Sequence, residues 1–301
     1  MVDTSDEWIS KRTGIKERRI AGENEASSDL AFKASIEALK AAKVEPEELD
    51  MILVATITPD MIFPATACIL QEKLRARKIA AFDLEAACSG FLYGITIGSQ
   101  FIATGMYDTI LIVAAETLSK IIDWEDRNTC VLFADGAGAA VLKPSEDNSQ
   151  IISSYLGADG AGADIVGVPA GGSRLPASLE TVQKRQHFMK MKGNELFRKA
   201  VKAMVDAIEI SLKKSNLNIQ DINFFIPHQA NIRIIEAVVK RVGLTMDKVC
   251  INLDHCGNMS AASIAVALDQ AVKEGKIKKG DKLLLTSFGG GLTLASMVLE
   301  W

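Results

Sequence analysis

The chain has 301 residues, of which 48% are hydrophobic, and its formal net charge is −4. This length fits one large domain or two smaller ones, and this share of apolar residues can fill a sizeable core. The negative charge argues against a general nucleic-acid binder, while the polar start of the chain and the lack of an apolar run of about 20 residues predict a cytoplasmic protein without a membrane span.

The first half of the chain predicts an alternation of helices and strands. Short β-branched and aliphatic runs alternate with stretches of helical period, which is the pattern of an α/β fold. In chain order we predict helices at 27–43, 65–74 and 88–104, and strands at 51–58, 79–84, 109–115 and 137–142. The helix at 88–104 has no polar face, so we expect it to be buried on every side.

The second half repeats this order with one more strand. We predict strands at 151–156, 223–227, 248–252, 282–287 and 293–299, and helices at 194–214, 231–242 and 260–273. Two halves with the same order of elements indicate a duplicated unit, divided into 1–145 and 146–301, whose copies pack face to face. The first copy then lacks the opening strand that the second copy has. The segment 157–176 is rich in Gly, Ala and Pro, so we predict a loop that can shape a site.

Cys88 is a candidate nucleophile, because it lies where a strand gives way to the apolar helix. A thiol at the start of a helix meets unpaired N–H groups and the positive end of the helix dipole, and both stabilise a thiolate. The commoner role of a cysteine in such a place is that of a small apolar residue. The five cysteines are scattered and form no C-x-x-C pair, so we expect reduced thiols and no zinc site.

Two polar residues follow strands of the second half. His228 ends the predicted strand at 223–227, and ligands of open α/β sheets gather at the carboxyl ends of strands. Asn258 lies between a strand and a helix. Each also has a plain structural explanation, His228 as a hydrogen-bonded histidine and Asn258 as a helix cap. The run FGGG at 288–291 is either a hairpin turn or a bare backbone that aims N–H groups at an oxyanion.

Six motifs, taken in order, resemble the β-ketoacyl-acyl-carrier-protein synthase III family, which initiates type II fatty-acid synthesis. They are DTSDEWISKRTGIKERRI, EAACSGF, FADGAGAAVL, IPHQANIRII, HCGNMSAAS and SFGGGLTLAS. The resemblance covers essentially the whole chain. It implies a thiolase-like duplicated α/β/α/β/α layered fold with two five-stranded mixed sheets. Members of the family carry a further segment before the first motif, so we expect the first strand of the N-terminal half to be missing.

The resemblance also implies roles for individual positions. Cys88 would be the nucleophile, and His228 and Asn258 the pair that promotes decarboxylation. The backbone N–H groups of Cys88 and Gly290 would form the oxyanion hole. The implied binding residues are Thr4, Trp8, Arg12, Arg127, Gly193 and Asn231 for coenzyme A, Arg233, Arg198, Lys240 and Arg241 for the acyl carrier protein, and Phe63 and Phe288 for the primer pocket.

The implied reaction joins an acyl-coenzyme A primer to malonyl-acyl-carrier protein, with coenzyme A as part of a substrate and with no cofactor or metal. The resemblance implies a homodimer, which an apolar edge strand at 109–115 or nearby would support. The nearest alternative is a starter-unit ketosynthase of a secondary-metabolite pathway. A nucleotide-dependent oxidoreductase would need a dinucleotide fingerprint, which the sequence lacks. A non-catalytic carrier-protein binding module would require the loss of Cys88, His228 or Asn258.

Overall fold

The computed structural model describes residues 2–145, 147 and 149–301. In these ranges the strands are β1 (Met51–Ala55), β2 (Ala80–Leu84), β3 (Ile110–Thr117), β4 (Asp135–Leu142), β5 (Gln150–Ala158), β6 (Val166–Gly167), β7 (Lys190–Met191), β8 (Phe224–Pro227), β9 (Lys282–Gly289) and β10 (Thr293–Glu300). The α-helices are α1 (Asp6–Thr13), α2 (Ser27–Ala42), α3 (Thr66–Leu74), α4 (Gly90–Ala103), α5 (Arg127–Cys130), α6 (Leu179–Gln183), α7 (Gly193–Ser215), α8 (Ile232–Val242), α9 (Leu253–Cys256) and α10 (Ala262–Lys273). None of these helices has the length and apolar character that a membrane span requires.

The strands form two mixed sheets and one short two-stranded sheet of β6 and β7. The first sheet has the order β2-β1-β3-β4, in which β1 is parallel to β2 and β3, and β4 is antiparallel to β3. The second has the order β5-β10-β9-β8, in which β8 and β9 are parallel and β10 is antiparallel to both neighbours. The series β1-β3-β4 and β8-β9-β10 therefore agree in order and direction, as the predicted duplication requires.

Three layers of helices cover the two sheets. Helices α2 and α3 pack on the outer face of the first sheet, α4 and α10 lie between the sheets, and α7 and α8 cover the outer face of the second. All five residues of β1 are buried because helices cover both faces of its sheet. The predicted α/β/α/β/α layering is confirmed, and α4 is the buried apolar helix that the sequence indicated.

In the described part of the chain the second sheet has four strands, not the five predicted. The predicted strand at 248–252 forms an isolated parallel bridge to β8. Pro227 has no N–H group with which to continue the ladder beyond that bridge. The side chain of Gln229 takes over instead, because its Nε2 donates to the carbonyl of Cys250 at 3.1 Å. A side chain thus replaces the main-chain pairing that the apolar run predicted.

The prediction of an edge strand at 109–115 is wrong. That segment belongs to β3, which pairs with β1 on one side and β4 on the other. All eight residues of β3 are buried, and an unbroken apolar run is typical of a strand covered on both faces. The described edges of the first sheet are β2 and β4.

The chain passes from the first sheet to the second between β4 and β5. The predicted division into 1–145 and 146–301 falls in this connection, at residue 146, which lies outside the described residues, and it stays a prediction. The predicted loop at 157–176 contains β6, which pairs antiparallel with β7 across a connection that includes α6.

Candidate active site

A cavity of about 1320 Å³ is lined by residues from both halves of the chain. It brings together most of the predicted site residues, namely Trp8, Arg12, Cys88, Arg127, Gly193, His228, Asn231, Arg233, Asn258, Phe288 and Gly290. The residues come from loops and helix starts that follow β2, β8 and β9, together with α1, α5 and α7. Distant parts of the sequence therefore meet at one cavity.

Cys88 lies in a short 3₁₀ turn, Ala87–Ser89, and α4 begins after it at Gly90 rather than at Cys88 as predicted. Burial is the main reason why the pKa of the Cys88 thiol is raised to about 12; the nearby Glu116 charge raises it further, and the Ser260 hydroxyl lowers it. Desolvation thus opposes the stabilised thiolate that the position near a helix start predicted, and the activation of Cys88 stays a prediction.

Two side chains from the hairpin of β9 and β10 hold the turn around Cys88. The Ser287 hydroxyl donates to the carbonyl of Cys88 at 2.7 Å, and the Thr293 hydroxyl donates to the carbonyl of Ala86 at 2.7 Å. Ala87 between them has a φ of 45°, a left-handed conformation that is strained for a residue with a side chain. The two hydrogen bonds hold the turn in this conformation, and sequence reasoning missed both hydroxyl groups.

Gly289 packs directly against the turn. A Cβ atom at this position would lie 2.6 Å from the backbone nitrogen of Cys88, so only glycine fits. The bare backbone leaves the Cys88 N–H group unobstructed, and Gly290 follows in the cavity lining. This arrangement suits the predicted oxyanion hole, whose two N–H groups stay a prediction.

His228 follows the last residue of β8 and is 3% exposed. Its backbone N–H donates to the carbonyl of Thr286 at 2.8 Å, which fixes it beside β9. Burial lowers the pKa of the His228 imidazole to about 4, so the ring is neutral at physiological pH. Its Nδ1 atom has no hydrogen-bond partner in the described part of the chain. The ring is thus not explained as a hydrogen-bonded structural histidine.

Asn258 does not cap a helix, since α10 begins four residues later at Ala262. Its backbone is fixed to the first half of the chain, with its N–H donating to the carbonyl of Leu132 at 3.0 Å and its carbonyl accepting from Ala134 at 2.9 Å. Its Oδ1 atom accepts from the N–H of Ser260 at 2.9 Å. The Nδ2 amide is therefore the group of Asn258 left to donate into the cavity.

Glu116, at the end of β3, is a buried carboxylic acid that sequence reasoning missed. Its Oε2 atom accepts from the Thr58 hydroxyl at 2.8 Å, the Ile57 N–H at 3.1 Å and the Thr56 hydroxyl at 3.2 Å. Its Oε1 atom has no partner among the described residues. Burial raises the pKa of Glu116 to about 7, against the lowering by these donors. The signal was available, because an acidic residue closes the apolar run ILIVAAET.

The outer part of the cavity contains a stacked cluster around Trp8. The guanidinium carbons of Arg12 and Arg127 each lie 4.7 Å from the centre of the Trp8 ring. Ser5 caps α1 by accepting from the N–H of Trp8 at 3.1 Å, which sets the place of the ring. The structure thus brings together three of the residues predicted to bind coenzyme A, namely Trp8, Arg12 and Arg127.

The remaining predicted residues lie outside the cavity lining. Thr4, Arg198, Lys240 and Arg241 are exposed, and the last three lie on helices α7 and α8. Phe63 is 81% exposed and does not line the cavity of its own chain. Asn231, which does line it, also caps α8 by accepting from the N–H of Arg233 at 2.9 Å.

Comparison with known families decides the identity of the chain. Family models described as 3-oxoacyl-[acyl-carrier-protein (ACP)] synthase III, and as its C terminal part, match residues 82–165 and 212–301. A relative from Caldanaerobacter subterraneus subsp. tengcongensis, named β-ketoacyl-[acyl-carrier-protein] synthase III, is 60% identical over 100% of this chain and 91% of its own. The chain belongs to the 3-oxoacyl-ACP synthase III family.

Other members of the family agree in sequence and in structure. A synthase III from Clostridioides difficile (strain 630) is 55% identical over 100% of this chain and 92% of its own. Crystal structures of synthase III from Aquifex aeolicus VF5 and Thermus thermophilus have TM-scores of 0.92 and 0.93, with 45% identity over 100% of this chain and 92% of theirs. These likenesses confirm the predicted family, the thiolase-like fold and the class of condensing acyltransferase.

Proposed function

We propose that the chain catalyses a decarboxylative Claisen condensation of an acyl-coenzyme A primer with malonyl-acyl-carrier protein, the step that initiates type II fatty-acid synthesis. The observation that carries this proposal is the shared cavity lining of Cys88, His228 and Asn258. The synthase name of the relatives supports it. The proposed chemistry needs no cofactor, because coenzyme A enters as part of a substrate. We propose that the protein acts in the cytoplasm, in keeping with its free cysteines.

In the first half-reaction the Cys88 sulfur attacks the thioester carbonyl of the primer. The N–H groups of Cys88 and Gly290 hold the oxygen of the tetrahedral intermediate, and a single donor of this kind contributes about 2.7–4 kcal/mol. The carbon–sulfur bond to coenzyme A then breaks, leaving an acyl group on Cys88. The open backbone at Gly289 supports this geometry.

In the second half-reaction malonyl-acyl-carrier protein loses carbon dioxide. Negative charge then collects on the thioester oxygen of the enolate, where a ring N–H of neutral His228 and the Nδ2 amide of Asn258 donate to it. Such bonds are strong because both residues are buried, at 3% and 6% exposure. The enolate carbon attacks the acyl carbonyl on Cys88, and the carbon–sulfur bond breaks to release the β-ketoacyl product.

Coenzyme A occupies the outer part of the cavity in this proposal. The Trp8 ring and the Arg127 guanidinium are flat surfaces on which an adenine can stack, and because they contact each other in this structure, Arg127 would move aside to admit the adenine between them. Further contacts along the chain of the ligand are proposed for Thr4, Arg12, Gly193 and Asn231. Phe288, which is 6% exposed in the lining, would bound the primer pocket. The same role was predicted for Phe63, but Phe63 lies outside the lining of its own chain, so we limit the proposal to Phe288.

The carrier protein is proposed to dock where α8 reaches the cavity. Arg233 lines the cavity and is exposed, and its Nη2 donates to the carbonyl of Lys11 at 3.2 Å. Lys240 and Arg241 continue the exposed side of the same helix, and Arg198 lies on α7. The working unit is proposed to be a homodimer.

A starter-unit ketosynthase is the second candidate. The crystal structure of the priming β-ketosynthase from the R1128 polyketide pathway has a TM-score of 0.91 and 35% identity over 99% of this chain. The relatives named synthase III are 60% and 55% identical, so the fatty-acid role is favoured.

Intact-protein mass spectrometry after incubation with a panel of acyl-coenzyme A thioesters tests the proposal. We expect a mass gain equal to one acyl group, carried by Cys88, and the thioester that acylates the largest fraction of the protein is the preferred primer. Cys88→Ser should gain no stable acyl group, whereas the control Cys68→Ser, which changes an exposed thiol, should acylate normally. Peptide mapping that places the acyl group on another cysteine would overturn the assignment.

A further inference from the structure

The connection between β6 and β7, residues 168–189, forms part of the cavity wall but has no part in the chemistry described so far. Val168 and Met189 of this connection line the cavity. Ile121 and Arg127, from the segment between β3 and β4, line it as well. Two segments that lie far apart in the sequence therefore shape the same cavity.

An ion pair between Asp123 and Arg185 joins these two segments. Arg185 Nε donates to Asp123 Oδ2 at 3.0 Å and Nη2 donates to Oδ1, so both carboxylate oxygens are bound. Asp123 is 5% exposed. Lys190 Nζ lies 3.6 Å from Oδ2, beyond hydrogen-bonding distance. A two-bond pair on a buried carboxylate fixes its own geometry, which a single exposed ion pair does not do.

The Asp123 end of the pair is tied to the backbone that precedes Arg127. Asp123 Oδ1 also accepts from the N–H of Glu125 at 3.0 Å, and the carbonyl of Asp123 accepts from the N–H of Asp126 at 2.9 Å. Asp126 in turn caps α5 by accepting from the N–H of Asn128 at 3.0 Å. The carboxylate thus holds the turn from which α5 begins, and Arg127 is the first residue of that helix.

The Arg185 end of the pair is held in a strained conformation. Arg185 has a φ of 54°, in the left-handed region that is unfavourable for a residue with a Cβ atom. Its guanidinium carbon also lies 5.1 Å from the centre of the Phe188 ring. Just beyond, the N–H of Met189 donates to the carbonyl of Ile121 at 2.7 Å. Strain of this kind persists only where the surroundings impose it, and it is concentrated at functional sites.

We propose that the Asp123–Arg185 pair positions the wall of the coenzyme A site, by holding the β6–β7 connection against the backbone from which Arg127 extends. A ligand then meets a surface that is already formed, and binding does not have to order the connection. Neither residue belongs to the cavity lining, so both act as positioning residues. This inference rests on the proposed binding of acyl-coenzyme A in this cavity.

Arg185→Met tests the pair, because it removes the charge and keeps an apolar side chain beside Phe188. It leaves a buried carboxylate without its main partner, which loosens the two segments. Acylation of Cys88 in a single turnover, followed by rapid quench and mass spectrometry, gives a half-saturating concentration of acetyl-coenzyme A and a maximal rate. We expect the half-saturating concentration to rise about 10-fold and the maximal rate to stay within about twofold of wild type.

Two further variants separate this role from a general effect of the substitution. Lys184→Met removes the neighbouring ion pair of Lys184 with Glu180, at 2.6 Å, which lies within the connection and outside the cavity lining. This matched control should leave both quantities at their wild-type values. Arg185→Lys keeps the charge without the two-bond geometry, so its half-saturating concentration should rise by only about threefold.

Hydrogen exchange of the β6–β7 connection gives a readout that does not depend on catalysis. Amides of residues 175–189 should exchange faster in Arg185→Met than in wild type or Lys184→Met, while the amides of β3 should not change. Unchanged half-saturation in Arg185→Met, an equal change in Lys184→Met, or a loss confined to the maximal rate would overturn the positioning role. Wild-type protein that never acylates on Cys88 would overturn the proposed function, and this inference with it.

Discussion

At the scale of single residues, the buried ionisable groups of the site are held away from their ordinary charge states. Burial raises the pKa of Glu116 to about 7 and lowers that of His228 to about 4. Both shifts favour the neutral form, which is what a desolvated pocket imposes. A neutral His228 can donate one hydrogen bond to an enolate without carrying a positive charge of its own.

The Glu116 shift predicts a dependence of stability on pH. Because its folded pKa is raised above the ordinary 4.5, its contribution to stability is fully present below pH 4.5 and is lost as pH rises through about 7. Glu116→Gln should therefore gain stability relative to wild type between pH 5 and pH 8, by up to about 3 kcal/mol. Urea unfolding at the two pH values measures this difference. If the free energies of unfolding of wild type and Glu116→Gln changed equally between pH 5 and pH 8, ionisation of Glu116 would not destabilise the fold.

The sequence identified the residues of the site that lie within motifs. Cys88 and His228 follow strands, where ligands of α/β sheets gather, and the cavity brings both together with Asn258. It did not identify Glu116 or Ser260. Their significance lies in unpartnered buried atoms, and burial of a particular atom is a property of the packed structure.

At the scale of elements, long periodic segments were predicted well and short ones were not. Helix α7 was placed at 194–214 and spans Gly193–Ser215, because its apolar face repeats over many turns. Helices α5 and α9 have four residues each, too few for a period to show. The predicted strand at 248–252 does not form, because Pro227 lacks an N–H group and the side chain of Gln229 donates to Cys250 in its place. An apolar run in the sequence does not reveal either effect.

Helix α8 joins the cavity to an exposed basic surface. Its buried side consists of Ile234, Ile235, Val238 and Val239, and its exposed side carries Arg233, Lys240 and Arg241. A chain with a net charge of −4 repels an acidic carrier protein at long range, so productive encounter needs such a local positive surface.

Arg233→Glu should weaken the carrier-protein step while sparing acylation by acetyl-coenzyme A. We expect about a 10-fold loss of rate with malonyl-acyl-carrier protein at low salt, and a smaller loss at high salt, because exposed charges are screened beyond about 10 Å at 0.1 M. Rates of the two half-reactions at both salt concentrations measure this. Lys213→Glu, about 30 Å along α7 from Gly193, is the control for charge reversal alone. Equal effects of the two variants would exclude docking at α8.

At the scale of the whole molecule, the site exists because the two copies of the fold face each other. Cys88 follows a strand of the first sheet, and His228 and Asn258 belong to the second half. Helices α4 and α10 share the central layer and pack into one core, which sets the separation between the copies. The order of the elements along the sequence predicted the duplication. It did not predict which ends of the two sheets meet.

A patch next to the β2 edge is the strongest candidate for the proposed dimer interface. All five residues of β2 are half-buried, and β2 pairs on one side with β1 in the described structure. Met61, Ile62 and Phe63 are 48%, 86% and 81% exposed, and the N–H of Thr66 just beyond them donates to Asp83 of β2 at 2.7 Å. A free strand edge beside exposed apolar side chains favours pairing across a twofold axis.

Sedimentation velocity at micromolar concentration should therefore detect a species of twice the chain mass. Phe63→Asp should shift it toward monomer, because a carboxylate in an apolar interface would be buried without a partner. Leu179→Asp on α6 is the matched control, since Leu179 is 84% exposed against 81% for Phe63, and it should leave the dimer intact. Wild-type protein that sediments as a monomer would refute the dimer itself. If Leu179→Asp broke the dimer and Phe63→Asp did not, the interface would lie at the surface around α6 and not at β2.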